Sequence, residues 1–300
     1  MDNQKVIRGY VYAFLGYFIW GVLPVFWHRL GDISSIEILL CRIIFSVITL
    51  LIYVYISKNA LFISYLEDKK TRRSLMITAS LLAVNWGIFV YAVNSSHVVQ
   101  ASLGYYINPL FSILLGVIFF KEKLDKIKIA AIVLAAIGVA YMTFSLGEFP
   151  YLSLALAVSF GLYGYMKKRL QLDSYNSLLV ETALLSVIAV IYSIYLFASN
   201  TSSIKGLDTV EIVLVLASGI VTCLPLILFN EGAKRIPMSA LGFLQYLAPT
   251  MMLLLGVFLY GEAFTKVHLI SFIFIWFGYF MYIFSIILYY KKPSKIVKEI

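Results

Sequence analysis

Charge is scarce in this chain. Only 13% of its 300 residues are Asp, Glu, Lys or Arg, against about 25% in an ordinary soluble domain. A soluble protein of this length needs far more polar surface to enclose its core, so a water-soluble fold is excluded. Cysteine is scarcer still. Cys41 and Cys223 stand singly inside apolar runs, so neither a disulfide framework nor a metal site can be read from them. The three histidines, His28, His97 and His268, are far apart and lack clustered thiols or carboxylates, so no metal centre and no cofactor are expected. There is no Walker-type nucleotide loop, no HExxH run and no Ser/His pair at depth. Energy must then come from a gradient or a partner, and a membrane-embedded enzyme would lack its usual constellation. No small-x-small cleavage site follows the first apolar run, which is therefore read as a retained helix.

What the chain does have is hydrophobicity: 62% of its residues, with a mean hydropathy of +0.92. A helix that spans a bilayer needs about 20 mostly apolar residues. Ten segments qualify, at about 9–28, 36–56, 74–94, 99–120, 127–145, 150–167, 177–198, 210–230, 240–260 and 267–290. The fold class expected is an all-α integral membrane protein. With the N-terminus inside, twenty of the 24 Lys and Arg fall in inside connections; only Arg29, Lys205 and Lys266 fall outside, and Arg42 lies within the second span. Both termini are therefore expected on the cytoplasmic side. The net charge of +9 reflects this topology and is not a nucleic-acid footprint.

The two halves repeat at an offset of 140 residues. Tyr106-Ile-Asn-Pro109, Leu114-Leu-Gly-Val117 and Glu122 match Tyr246-Leu-Ala-Pro249, Leu254-Leu-Gly-Val257 and Glu262. The same offset pairs Gly21 with Gly161, Arg29 with Arg169, Lys126 with Lys266 and Gly138 with Gly278. Each half holds an odd number of helices, so the second must be inverted relative to the first. Inverted repeats are a mark of secondary transporters, in which the halves exchange conformations to open alternate sides.

Several segments carry a more specific likeness: Tyr17-Phe-Ile-Trp-Gly21, Glu37-Ile-Leu with Arg42, Asn85-Trp86, Ala101-Ser-Leu-Gly-Tyr105 with Ile107-Asn-Pro109, Glu181-Thr182, and Leu241-Gly-Phe with Gln245-Tyr246. Together with the ten-helix pattern they resemble the RarD subfamily, labelled chloramphenicol-sensitive, of the EamA branch of the drug/metabolite transporter superfamily. The resemblance implies an EamA-like five-helix repeat over residues 5–145, a second, inverted one over 146–290, and a basic cytoplasmic tail at 291–300. It implies a central cavity enclosed by the first four helices of each half, with the fifth and tenth outside. A bacterial cytoplasmic (inner) membrane is the expected location. The expected partners are the bilayer and a small-molecule substrate, with no nucleic acid; the oligomeric state is left open.

Candidate site residues follow from polarity at depth and from the paired kinks. Arg42 and Glu181 are charges inside apolar spans, where the default reading is functional. Arg42 would draw a carboxylate or another anionic group, and Glu181 a proton or a cation; snorkelling to an interface is the bland alternative. Arg42 is expected towards the outer side and Glu181 towards the inner, too far apart in depth to pair. Pro109 and Pro249 each remove a backbone N–H within a span. With Tyr106 and Tyr246 one turn earlier, they suggest a cavity wall or hinge, against a packing role. Trp20, Asn85, Trp86, Asn108, Thr222 and Gln245 complete the set, suiting a polar, partly aromatic substrate or simple interhelical hydrogen bonding. Glu122 and Glu262 sit at helix C-termini, which disfavour anions, and so require compensating neighbours. The function expected is a secondary transporter, exporting small metabolites or drug-like compounds by alternating access. A membrane scaffold or a receptor-type binding protein is the competing class, and a channel lacks any visible filter signature.

Overall fold

Long apolar runs broken by short polar connections dictate helices, because lipid leaves every backbone N–H and C=O to be satisfied within its own segment. In the computed structural model of the chain, the described residues are 3–291 except 96, 146, 148 and 262. The regular structure among them is entirely helical: α1 (Asn3–His28), α2 (Ser35–Ser57), α3 (Leu61–Glu67), α4 (Lys69–Asn94), α5 (Val98–Phe120), α6 (Lys126–Ser145), α7 (Tyr151–Leu170), α8 (Ser174–Ala198), α9 (Thr209–Ala233), α10 (Met238–Gln245), α11 (Leu247–Leu259) and α12 (Lys266–Lys291). Among the described residues, nine helical segments are long and apolar enough to cross a membrane, α10 and α11 counting together as one. The tenth crossing is α7, whose hydropathy is diluted by Lys167, Lys168 and Arg169 in its last turn. The expected tail at 291–300 and the helix-end residue Glu262 fall outside the described residues, apart from Lys291 and Gly261 beside them.

Several helices start or stop a turn away from the limits expected from hydropathy. The α4 helix starts at Lys69, where Asp68 caps it by accepting from Thr71 N at 2.7 Å. The α8 helix starts at Ser174, where Asp173 accepts from Asn176 N at 2.9 Å. Carboxylate caps satisfy orphan N–H groups and let a helix extend beyond its apolar stretch. The segment expected as one span at 240–260 divides at Tyr246. Pro249 has no N–H to offer the Gln245 carbonyl, and Tyr246 N turns back to Phe243 O at 3.2 Å, a tighter turn than the α-helix uses. Pro109 stands at the same place in the other repeat, yet α5 runs unbroken through it.

Reciprocal contacts display the inverted repeat. The fifth and tenth spans, α6 and α12, pack against each other. A methyl added at Gly138 would lie 2.6 Å from the Ser271 carbonyl oxygen, and one added at Gly278 would lie 2.6 Å from that of Ala131. Gly138 and Gly278 are repeat mates, as are Ala131 and Ser271, so these two contacts are one contact seen twice. The halves also interleave. The α1 helix packs on α9 and α11 of the second half, while its mate α7 packs on α4 and α5 of the first. The most extensive packing of α1 and of α7 is thus with the opposite half. The natural groupings are α1 with α9, α10 and α11, and α7 with α4 and α5, bridged by α2 and α8.

Two ends can be told apart by composition. One, here the basic end, holds the lysine-rich connections, the start of α1 and the end of α12. There α3 lies across the start of α8, with Phe62 N donating to Asn176 Oδ1 at 3.0 Å and Asp173 N donating to the Tyr65 hydroxyl at 3.0 Å. At the opposite end, buried Glu37 accepts from Ser202 Oγ and Ser203 N, each at 2.6 Å, tying the start of α2 to the connection between α8 and α9. His28, His97 and His268 all lie at this end, ending α1, preceding α5 and opening α12.

Candidate functional site

The centre of the bundle is aromatic. Trp20 of α1 and Phe160 of α7 are repeat mates, and their rings meet edge to face at 5.6 Å. Mates that touch each other mark the pseudo-twofold axis. Tyr17, Tyr163 and Phe229 pack around them: Phe229 lies 5.2 Å from Phe160, 5.8 Å from Trp20 and 6.0 Å from Tyr17. Tyr163 stacks on Phe229 at 6.3 Å.

Between this layer and the basic end lies Glu181. Its side chain is fully buried and lies 3.0 Å from Lys167 Nζ, itself only 5% exposed. The carboxylate also accepts from Thr78 Oγ1 at 2.6 Å and from the Tyr163 hydroxyl at 3.2 Å. Lys167 donates in addition to Ser177 Oγ at 2.7 Å. Three helices, α4, α7 and α8, thus converge on one carboxylate. The neighbouring Lys168 reaches across to the carbonyls of Ala233, at 3.3 Å, and Ile236, closing α7 onto the end of α9. The basic end is shut by both polar and aromatic contacts.

The opposite end is built differently. Arg42 Nε donates to Thr222 Oγ1 of α9 at 3.1 Å. Its guanidinium carbon lies 5.0 Å from the Trp27 ring centre on α1 and 5.3 Å from that of Trp86 on α4. Among the described residues no carboxylate lies within ion-pair distance of it, and its side chain keeps partial exposure despite neighbours from three helices. Repeat mates expose the inequality. Lys167 corresponds to Trp27, and Glu181 to Cys41 beside Arg42. The same α-helical junction carries an ion pair at one end and a cation between indoles at the other. Phe229 and Asn230 are buried, whereas their mates Phe89 and Val90 are only half-buried. At this level the α9 residues nearer the basic end are therefore more deeply buried than their α4 mates, although the opposite end is tied as well, by Glu37 and by an ion pair of Arg29 with Asp208 at 3.1 Å.

The remaining candidates group at the crossings of α4, α5, α7 and α10. Asn85 Nδ2 donates to Leu156 O and Ser159 Oγ, both at 3.0 Å, fastening α4 to α7. Tyr106 donates its hydroxyl to the Pro249 carbonyl at 3.1 Å, a bond from one repeat to the other rather than to a carbonyl freed in its own helix. Its mate Tyr246 has a buried hydroxyl without a protein partner, as does the Gln245 amide oxygen. Asn108 accepts from Ser112 Oγ at 3.1 Å on its own helix. The Pro109 carbonyl lies against Gly242, where an added methyl would come within 2.7 Å. Arg42, Trp86 and Thr222 are thus brought together, as are Tyr106 and Pro249; Arg42 and Glu181 share no partner. Sequence reasoning missed Lys167, Trp27, Phe160 and Phe229. The repeat offset that pairs Trp20 with Phe160 was the one signal pointing to the latter cluster.

Comparison with known proteins agrees with this architecture. The model of the EamA-like transporter family matches the chain twice, over residues 7–144 and 150–284. An uncharacterized transporter of Vibrio cholerae is 39% identical over 92% of this chain and 91% of its own length. Protein RarD of Escherichia coli is 34% identical over 98% of this chain and 100% of its own length. A solved crystal structure at 18% identity superposes with a TM-score of 0.72, covering 92% of this chain and 96% of that one, which is a likeness of fold. The protein is a multi-pass, all-helical membrane protein of two inverted five-helix repeats, and it belongs to the EamA-like transporter family, on the branch that includes proteins named RarD.

Proposed function

We propose that the protein is a secondary exporter that moves small organic molecules across the bacterial cytoplasmic membrane by alternating access. The observation that carries this reading is the inequality of two ends related by an internal twofold. Equivalent helices carry an ion pair at one junction and a cation between indoles at the matching one. Exchange of the two half-conformations would generate the opposite shape without any new fold. In this reading the basic end faces the cytoplasm, in line with the distribution of Lys and Arg. The described state is then closed inward. In this reading substrate binds at Arg42, Trp27, Trp86 and Thr222, above Trp20 and Phe160, and Glu181 with Lys167 forms the inner lock. No metal or cofactor takes part; the partners are the substrate and the bilayer.

The test is a locked transporter. In a background lacking Cys41 and Cys223, cysteines at positions 168 and 236 are bridged by a short bis-maleimide after reconstitution into liposomes. Counterflow of a transported compound should stop on bridging, while the same variant treated with a monofunctional maleimide keeps turning over. Undiminished counterflow with the basic end bridged would reject alternating access.

A further inference from the structure

We infer that the substrate is an organic anion, a carboxylate with an apolar body, and that Arg42 is the residue that binds its charge. The inference deepens the transporter reading and rests on it. Its ground is an unsatisfied cation. Of the guanidinium's donors, only Nε has an acceptor among the described residues, the Thr222 hydroxyl. Among the described residues neither terminal nitrogen has a hydrogen-bond acceptor or a carboxylate partner; Tyr105 and Cys223 lie near the charge but carry no counterion, and a guanidinium presents a planar fork suited to binding a carboxylate through two parallel bonds. Trp27 and Trp86 hold the cation by their ring faces. Such contacts are worth about 0.5–2 kcal/mol each and leave the charge in place. A charge kept within a membrane bundle without a counterion is costly unless something else supplies one. Glu181 presents the contrast: it sits one residue from the repeat mate of Arg42 and is fully neutralised by Lys167.

Helix geometry supplies the apolar half of the site. Trp27 lies seven residues beyond Trp20 on α1, and Thr222 lies seven before Phe229 on α9. Seven residues are two turns, so each pair shares one helix face, about 10 Å apart along the axis. Trp20 and Phe229 belong to the aromatic layer and lie 5.8 Å apart. The guanidinium layer therefore stands two turns above an aromatic floor, on the same faces of the same two helices. A monocarboxylate whose body is about the length of a phenyl or short alkyl acid reaches from one to the other. Its head group would bridge α2 and α4 through Arg42 and Trp86, and its body would lie on Trp20 and Phe160. Neutralising the cation in this way would let α1 and α4 approach at that end, which joins binding to closure.

The experiment uses matched probes that differ only in charge: benzoate, phenylacetate and octanoate against benzamide, phenylacetamide and octanamide. Binding to the purified full chain is read by intrinsic tryptophan fluorescence, since two of the four tryptophans flank the cation. At least one acid should bind ten or more times more tightly than its amide. Arg42→Gln should abolish that ratio, and Arg42→Lys should retain part of it. Amides that bind as tightly as acids, or no acid binding to folded wild-type protein, would overturn the inference even if Arg42→Gln failed to fold. So would an Arg42→Gln variant that keeps the acid preference. Counterflow of the bound acid in liposomes is scored separately. Arg42-dependent binding without flux would reject the transporter reading and leave the anion site standing; flux of amides untouched by Arg42→Gln would do the reverse.

Discussion

At the scale of single residues, the two intramembrane charges that polarity at depth brings to notice turn out to have unlike company. Arg42 is held by indoles and a hydroxyl, and Glu181 by a lysine and two hydroxyls. The depth of each is readable from its place in an apolar run. The partner of Glu181 is not, because Lys167 precedes Lys168 and Arg169 at a span end and reads as one more interfacial cation. Only the turn of α7, which points Lys167 inward on the face that also bears Tyr163, separates it from its neighbours. Removing one member of a buried pair leaves the other uncompensated, at a cost of about 3–5 kcal/mol, whereas replacing both with apolar side chains is often near neutral. Lys167→Met should therefore lower the apparent melting temperature in detergent markedly, and Lys167→Met with Glu181→Met should recover most of the loss. A double variant no more stable than the single would mean that the hydroxyl contacts of Glu181, and not the ion pair, hold this junction.

At the scale of elements, the spanning helices were legible from hydropathy, whereas the short α3, which falls between two expected spans, and the split between α10 and α11 were not. A proline at the same repeat position leaves α5 intact, so the break depends on surroundings that no local pattern encodes. Glu122 illustrates a feature half legible. An anion at the end of α5 is ill placed with respect to that helix's own dipole, which signals a partner elsewhere. The partner is the start of α10: Glu122 accepts from Met238 N at 2.5 Å and Ser239 N at 2.9 Å, satisfying N–H groups that Pro237 before them cannot help to cap. Glu122→Ala should destabilise the protein by about 1–2 kcal/mol, in the range of a lost N-cap. It should also speed amide exchange selectively at Met238 and Ser239. Uniform faster exchange across all helices would instead indicate loss of global stability without a local cap. The glycine contacts of α6 with α12 were legible as a repeated pair, but their role in closing two backbones together emerges only from the packing.

At the scale of the whole molecule, the inverted repeat was written in the sequence, while the interleaving of the halves was not, since packing of α1 on α9 and of α7 on α4 joins elements far apart in the chain. The paired tyrosines offer a measure of the proposed twofold exchange. Tyr106 is bonded to the Pro249 carbonyl in the described state and Tyr246 is unbonded; in the exchanged state their parts would reverse, with Tyr246 donating to the Pro109 carbonyl. Each bond is worth about 1 kcal/mol, or roughly a fivefold change in an equilibrium between two states. Tyr106→Phe should therefore shift the population towards the form open at the basic end, and Tyr246→Phe should shift it away, as read by maleimide labelling of a cysteine at position 230. Shifts of the same sign in both variants would rule out the exchange. The contact of Trp20 with Phe160 has a different consequence. A residue pair on the axis is its own image, so the proposed exchange would map this contact onto itself, even though Phe229 packs on it in the described state and its mate Phe89 does not. Under the proposed exchange, substitution at Trp20 or Phe160 should therefore move the balance between the two forms less than Tyr106→Phe or Tyr246→Phe does, which separates a residue that joins the halves from one that chooses between their arrangements.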